Sequence, residues 1–197
     1  MEGEPAPELP DTIGVGNILW VKGLIVHAIK ERVEKGPERY KEIIEKYNTC
    51  GVPLAAVYAI IEIESSWIEK PRPRYEKSVE ALVRKGNLVK YFPGKRSLKE
   101  VSEEEMGAAC SSYGLMQIVY TTAYDRGFRG RPKELSKVEV NIKWGMRELC
   151  RQYLRYGKDL DKMAAAYNRG KVLYDEYGRF VNIGYVRKFR RALKKYQ

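Results

Sequence analysis

Residues 56–67 read AVYAIIEIESSW. The stretch follows Pro53 and is apolar on nearly every turn, the pattern of a buried helix opened by proline. It also carries two carboxylates, Glu62 and Glu64. Residues three and four apart share a helix face. The neighbours of Glu64 are then Ile60, Ile61, Trp67 and Ile68, with Val57 two turns back; those of Glu62 are Tyr58, Ala59, Ser65 and Ser66. At about 100° per residue the two acids stand about 200° apart. Glu64 is expected along the apolar stripe and Glu62 off it. A carboxyl pressed into apolar surface loses hydration and keeps its proton to higher pH, the state a general acid needs to break a glycosidic bond. The same placement fits a structural acid paired with an arginine.

The chain has 197 residues, enough for one well-packed domain, with 44% hydrophobic and 32% charged residues. No run approaches the roughly 18 consecutive apolar residues of a membrane-spanning helix. The start, MEGEPAPELPDTIGVG (1–16), is acidic and rich in Pro and Gly. It lacks a basic n-region and an apolar h-region, so it reads as a loose tail rather than a signal peptide, with one domain over 17–197. The net charge of +11, from 37 Lys and Arg against 26 Asp and Glu, favours a polyanionic partner: nucleic acid, an anionic membrane or an anionic wall polymer. No nucleic-acid motif accompanies it, so specific nucleic-acid binding is ranked low. Cys50, Cys110 and Cys150 lie far apart and His27 is the one histidine, so no zinc site and no cofactor is expected. A Cys110–Cys150 disulfide is considered but undecided by spacing. Abundant Lys, Arg and Glu with scarce Asn and Gln lean toward a thermophilic source.

Helical periodicity covers NILWVKGLIVHAIKERVEK (17–35), with His27 structural, and PERYKEIIEKYN (37–48), opened by proline. Pro71 to Gly107 reads as irregular apart from a short helix near 78–85. ACSSYGLMQIVY (109–120) reads as loop or short strand. TTAYDRGF (121–128) reads as a short helix capped by Thr121 or Thr122. SKVEVNIKWGMRELCRQYLRYG (136–157) reads as a helix opened by a Ser136–Glu139 capping box and ended at Gly157. DLDKMAAAYNRG (159–170) closes near Gly170, and GYVRKFRRALKKYQ (184–197) is the last helix. The expected class is mainly α, a single domain with at most a small β element.

Four segments occur in order: IESSW (63–67), SSYGLMQI (111–118), AAAYNRG (164–170) and NIGYVRKF (182–189). Together they resemble the soluble lytic transglycosylases, peptidoglycan-cleaving enzymes with a lysozyme-like fold related to goose-type lysozymes. The resemblance covers about residues 50–195. It implies that Glu64 is the catalytic acid/base. It implies that Gly114, Leu115, Met116 and Gln117 line the sugar cleft, that Tyr167, with Asn168 beside it, lies close to the glutamate, and that Tyr185 borders the cleft. The chemistry suits these roles. Gln117 both donates and accepts, as an N-acetyl sugar requires. Met116 offers an adaptable apolar contact. On the resemblance, the Tyr167 hydroxyl is expected to hold the glutamate carboxyl or the reacting N-acetyl group. Plainer readings stand beside these: Leu115, Met116 and Tyr185 as core, Ser65 and Ser66 as local backbone partners, and Tyr113 as packing rather than stacking on a sugar. Many relatives carry Ser-Pro-x-Gly-Ala before Gly-Leu-Met-Gln; MGAACSSYG (106–114) stands here instead, with Ser111 or Ser112 as substitutes.

Glycosidases ordinarily use two carboxylates. Goose-type lysozymes carry aspartates shortly before Gly-Leu-Met-Gln, and this chain has no acid between Gly107 and Gln117. The nearest run, Glu103–Glu105, reads as solvated. The resemblance implies a reaction that needs one acid, closing a 1,6-anhydro ring within the substrate. The runner-up is a lysozyme or endolysin-type hydrolase with Glu103–Glu105 placing water. A non-catalytic wall-binding module follows. The expected partner is peptidoglycan, with anionic wall polymers along the basic surface. A monomer is expected, in the cell wall, periplasm or extracellular space, or carried by a phage.

Overall fold

The computed structural model describes residues 36–197. The tail over 1–16, the helix expected over 17–35 and His27 lie outside the described residues. Tyr40–Gln197 form one compact unit. Its helices are α1 (Lys41–Tyr47), α2 (Leu54–Ser65), α3 (Lys77–Lys85), α4 (Glu103–Ala109), α5 (Tyr120–Asp125), α6 (Val138–Arg155), α7 (Leu160–Arg169) and α8 (Ile183–Tyr196). Three short strands, β1 (Arg74–Tyr75), β2 (Ser111–Tyr113) and β3 (Ile118–Val119), form an antiparallel sheet in the order β1-β2-β3. Its register pairs Arg74 with Ser112, and Tyr113 with Ile118.

Two apolar clusters organise the unit. The larger joins α1, α2, α6, α7 and α8 around Val57, Ile60, Ile61, Met146, Met163 and Phe189. The smaller joins α3, α4, α5 and the sheet around Val83, Met106, Tyr113, Ile118 and Phe128. Helix α2 packs most extensively on α8. Pro53 stands immediately before α2 with φ −53°, which its ring presets for helix entry. The chain leaves α2 through Ser66 and Trp67, both at positive φ (51° and 64°), a region that L side chains rarely occupy. Helix α7 is capped by the Asp159 side chain and closes at Gly170, whose φ of 78° suits a glycine.

Several expected details differ. The capping box is not at Ser136–Glu139. Ser136 ends a 3-10 turn, Pro132–Ser136, so α6 begins two residues later with Lys137 ahead of it and no side-chain cap. Glu139 instead accepts from Lys46 and Tyr47 of α1, at 2.7 and 2.8 Å. The capping box occurs at Ser102–Glu105, opening α4. Neither Thr121 nor Thr122 caps α5, because β3 runs straight into the helix through an extended Val119. The disulfide joins Cys50 to Cys150, not Cys110 to Cys150. It ties the loop before α2 to α6, while Cys110 is a free thiol, 0% exposed and pushed by burial up to about 11.

The turn between β2 and β3 is bolted to α6. Asn141, fully buried, accepts from the Met116 backbone N–H at 2.7 Å and donates to the Tyr113 and Leu135 carbonyls at 2.6 and 2.8 Å. Gly114 has φ 66°, and a Cβ there would lie 2.3 Å from the Asn141 amide nitrogen and 2.8 Å from the Leu135 oxygen. At the same contact a Cβ on Gly145 would meet the Met116 sulfur at 2.5 Å. Helix and turn thus approach through two glycines. Gly114→Ala is expected to lower the unfolding free energy by about 2–4 kcal/mol in urea denaturation. Cys50→Ser, which opens a cross-link spanning 100 residues, is expected to cost about 2–5 kcal/mol by the same measurement.

Candidate active site

Between the two clusters lies a cleft of about 730 Å³, within the usual range for ligand sites of about 300–1,000 Å³. Glu64 lines it from the last turn of α2, Arg74 and Glu76 from the end of β1, Gln117 from the turn before β3, and Tyr167 and Asn168 from α7. Val79, Leu82 and Leu88 supply an apolar wall.

The two acids of α2 have opposite surroundings. Burial works to raise Glu62, but hydrogen bonds from Lys195 and Tyr196 of α8 outweigh it and hold its carboxyl below the ordinary value. Glu64 is half-buried in the cleft wall, and loss of hydration pushes its carboxyl up. A hydrogen bond from the Tyr185 hydroxyl to Oε1, at 2.6 Å, and the positive charge of Arg74 pull it part of the way back. The charge of Glu76 pushes it up again. Titratable groups whose environments drive them apart sort themselves into roles. Here Glu62 is held toward its charged form and Glu64 is pushed toward its neutral one. Because the Tyr185 hydroxyl occupies Oε1, Oε2 is the oxygen left to carry the proton. Burial, with the Glu64 charge next, raises both Tyr185 and Tyr167 well above the ordinary tyrosine value, so both stay neutral donors.

The other predicted residues divide. The Tyr167 hydroxyl donates to the Met116 carbonyl at 2.8 Å, so its proton is committed there and Tyr185 is the side chain that holds the Glu64 carboxyl. Asn168 is exposed on the cleft rim and accepts from Asn182 at 2.9 Å. Gln117, at φ 44°, accepts from the Ser112 hydroxyl and donates to the Gly114 carbonyl, both at 2.9 Å, leaving one N–H and one lone pair for a ligand. Leu115 and Met116 do not line the cleft. Both side chains are 0% exposed in the larger core, because Gly145 lets α6 close over them. Tyr113 is buried in the smaller cluster with its hydroxyl on the Ala108 carbonyl. Gly114 serves the turn, and the buried Ser65 hydroxyl donates to the Ile61 carbonyl. None of these three lines the cleft. Ser112 touches it through Gln117, whereas Ser111 donates to the Gly107 carbonyl.

The spacing rules missed Arg74, Glu76 and Glu148. Glu148 reaches the cleft from α6, buried, and accepts from Arg126 Nε at 2.6 Å. Its place on the stripe Asn141, Gly145, Glu148, Gln152 was a readable signal, a run of polar or small residues three and four apart facing inward. Arg74 and Glu76 carried no such signal, since their strand is only two residues long. Glu103–Glu105 lie outside the cleft. Glu103 is exposed and held by Arg84 at 2.9 Å, and Glu105 caps α4. Among the described residues no group of three or more His, Cys, Asp or Glu is placed to hold a metal ion.

A mainly helical unit with a small antiparallel sheet, and a cleft acid at the end of a core helix, is the arrangement of the lysozyme-like enzymes. The profile of the family described as transglycosylase SLT domain matches residues 41–179, and the chain belongs to that family. No curated protein and no solved structure matches the chain. Tyr185 lies beyond the matched span.

The strain on Glu64 is testable without substrate. Its folded value is raised, so its contribution to stability is fully present below the unfolded value and is lost as pH rises through the folded one. Glu64→Gln removes that loss. Its melting temperature is expected to exceed that of the parent at pH 7, and the gap to close as pH falls to the acid side of the carboxylate range. A constant gap across a calorimetric pH series would contradict the assignment.

Proposed function

We propose that the protein is a peptidoglycan lytic transglycosylase that cleaves the MurNAc-β-1,4-GlcNAc bond and leaves a 1,6-anhydro-muramic acid end, with Glu64 as its one acid/base. The observation that carries this reading is the contrast inside α2: of two acids on one helix, only Glu64 is raised, in a cleft, with one oxygen held by Tyr185.

Glu64 protonates the bridging oxygen through Oε2, and the C1–O bond breaks as the GlcNAc hydroxyl leaves. The substrate's own N-acetyl group stabilises the positive centre at C1. Glu64, now a carboxylate steadied by the Tyr185 hydroxyl and the charge of Arg74, takes the proton of the C6 hydroxyl of the same muramic acid. The C6 oxygen bonds to C1, the proton is back on Glu64, and no water is consumed. An intramolecular nucleophile has a high effective concentration, and positioned acid/base help contributes roughly 10²–10⁴-fold.

A hydrolase on the same fold is the second reading, and the presence of Glu76 and Glu148 in the cleft favours it. Each is already engaged by an arginine, Arg74 and Arg126 respectively, which supports the single-acid reaction over water activation. A peptidoglycan substrate places the protein in the wall, periplasm or extracellular space. Among the described residues no helix is long and apolar enough to cross a membrane. The net charge of +11 suits walls bearing phosphate and carboxylate groups.

Purified peptidoglycan digested with the protein is expected to release muropeptides ending in anhydro-muramic acid, each one water lighter than the hydrolysed form in the mass spectrum. Glu64→Gln should lose at least about 100-fold in rate with its fold intact. Reducing-end products would establish the hydrolase. No products from several wall types would favour a wall-binding module.

A further inference from the structure

The cleft holds an ion pair whose carboxylate has no part in the reaction above. Arg74 Nε donates to Glu76 Oε1 at 2.7 Å, and both side chains line the cleft beside Glu64. The pair is built into the sheet rather than draped over it. Arg74 is in register with Ser112, the Glu76 N–H donates to the Cys110 carbonyl at 3.0 Å, and residues 74 and 76, two apart, fall on one side of the extended chain. The fully buried Ser112 hydroxyl stands 2.9 Å from Gln117 Oε1 and 3.4 Å from Glu76 Oε1. The turn, the sheet and the ion pair thus make one polar row facing the end of α2.

We propose that Arg74 and Glu76 are positioning residues for Glu64, with Glu76 holding the Arg74 guanidinium by its Nε edge and so metering how much positive charge reaches the Glu64 carboxyl. The proposal rests on the reading of Glu64 as the acid/base. Such a residue must be protonated to start the reaction and must tolerate its own negative charge halfway through. A strong direct bridge from Arg74 would keep Glu64 ionised and spoil the first step. No cation nearby would make the second step costly. An arginine held at one edge by a competing carboxylate lies between these limits. The groups acting on Glu64 are Tyr185 from α8 and Arg74 and Glu76 from the sheet, while Tyr167 from α7 is neutral and itself feels the Glu64 charge. Arg74 and Glu76 act in opposite directions, Arg74 favouring the charged form of Glu64 and Glu76 the neutral one.

The opposition makes the test specific. Glu76→Gln removes a repelling charge and frees Arg74, and both changes favour ionised Glu64. Arg74→Gln removes the attracting charge and leaves Glu76 uncompensated, and both changes favour the neutral form. The carboxyl carbon of Glu64 is followed by ¹³C NMR across pH in the full chain, assigned by its disappearance in Glu64→Gln. Its midpoint is expected to fall in Glu76→Gln, to rise in Arg74→Gln and to stay near the parent in Arg74→Lys. The alkaline limb of kcat/KM should move the same way, so that on that limb Glu76→Gln loses about three- to tenfold while on the acid side of the Glu64 midpoint it stays within about twofold. Unchanged midpoints, or shifts of one sign in both variants, would overturn the proposal and leave the pair a structural tie. The titration needs no turnover. A protein inert on peptidoglycan whose Glu64 shifts as expected would refute the lytic function and keep the pair.

Discussion

The buried Asn141 amide is the bolt on which the site hangs. A β-turn between two very short strands has little stability of its own. Here two of its backbone groups, together with the Leu135 carbonyl of the preceding 3-10 turn, are taken by one side chain that is itself fixed in the first turn of the longest described helix. Every one of those bonds is out of water, so leaving any partner unpaired costs about 1–3 kcal/mol. The turn therefore has one conformation, and three things follow from it. The Met116 carbonyl is aimed at Tyr167, Gln117 is held at a positive φ in the cleft wall, and Ser112 is placed to reach both Gln117 and Glu76. Strained backbone at Gln117 borders the same space, as is common where surrounding packing over-determines a functional geometry.

The Gly-Leu-Met-Gln segment shows how a motif divides its labour. Its two apolar side chains anchor the turn in the core, its glycine admits Asn141, and its glutamine alone faces the cleft. Reading all four as sugar contacts confuses the part that positions with the part that touches. The same holds for the two tyrosines. Tyr167 secures the turn from α7, and Tyr185 secures the acid from α8.

Much of this was legible in the sequence, for a physical reason. Glu64 betrayed itself as a charge on an apolar stripe, and helix periodicity located α2, α6, α7 and α8 to within a residue or two. Asn141 offered the same signal, a polar residue between Val138 and Gly145 on an apolar face, but its partners Met116 and Tyr113 lie 25 and 28 residues away and no local pattern names them. The Arg74–Glu76 pair and the Cys50–Cys150 bond were not legible. Each depends on which distant segment lies alongside, Ser112 for the one and α6 for the other, and neither strand length nor cysteine spacing encodes that. The helix starts at Tyr120 and Val138 were missed because a strand and a 3-10 turn, not the local cap residues, decide where they begin.

The hydrogen bond between Glu64 and Tyr185 spans 121 residues, and the bonds from Lys195 and Tyr196 to Glu62 span still more. Contacts this distant in sequence close late, because the loop entropy must be overcome before they form. Until α8 docks, Glu64 has neither its hydroxyl partner nor the cover that strips its water, and Glu62 has no ion to tell it from its neighbour. In a chain still searching for its fold the two acids of α2 are chemically alike. The difference between the two carboxyls is then a certificate of folding: burial pushes Glu64 up and the bonds from α8 hold Glu62 down only in a molecule whose last helix has already come home.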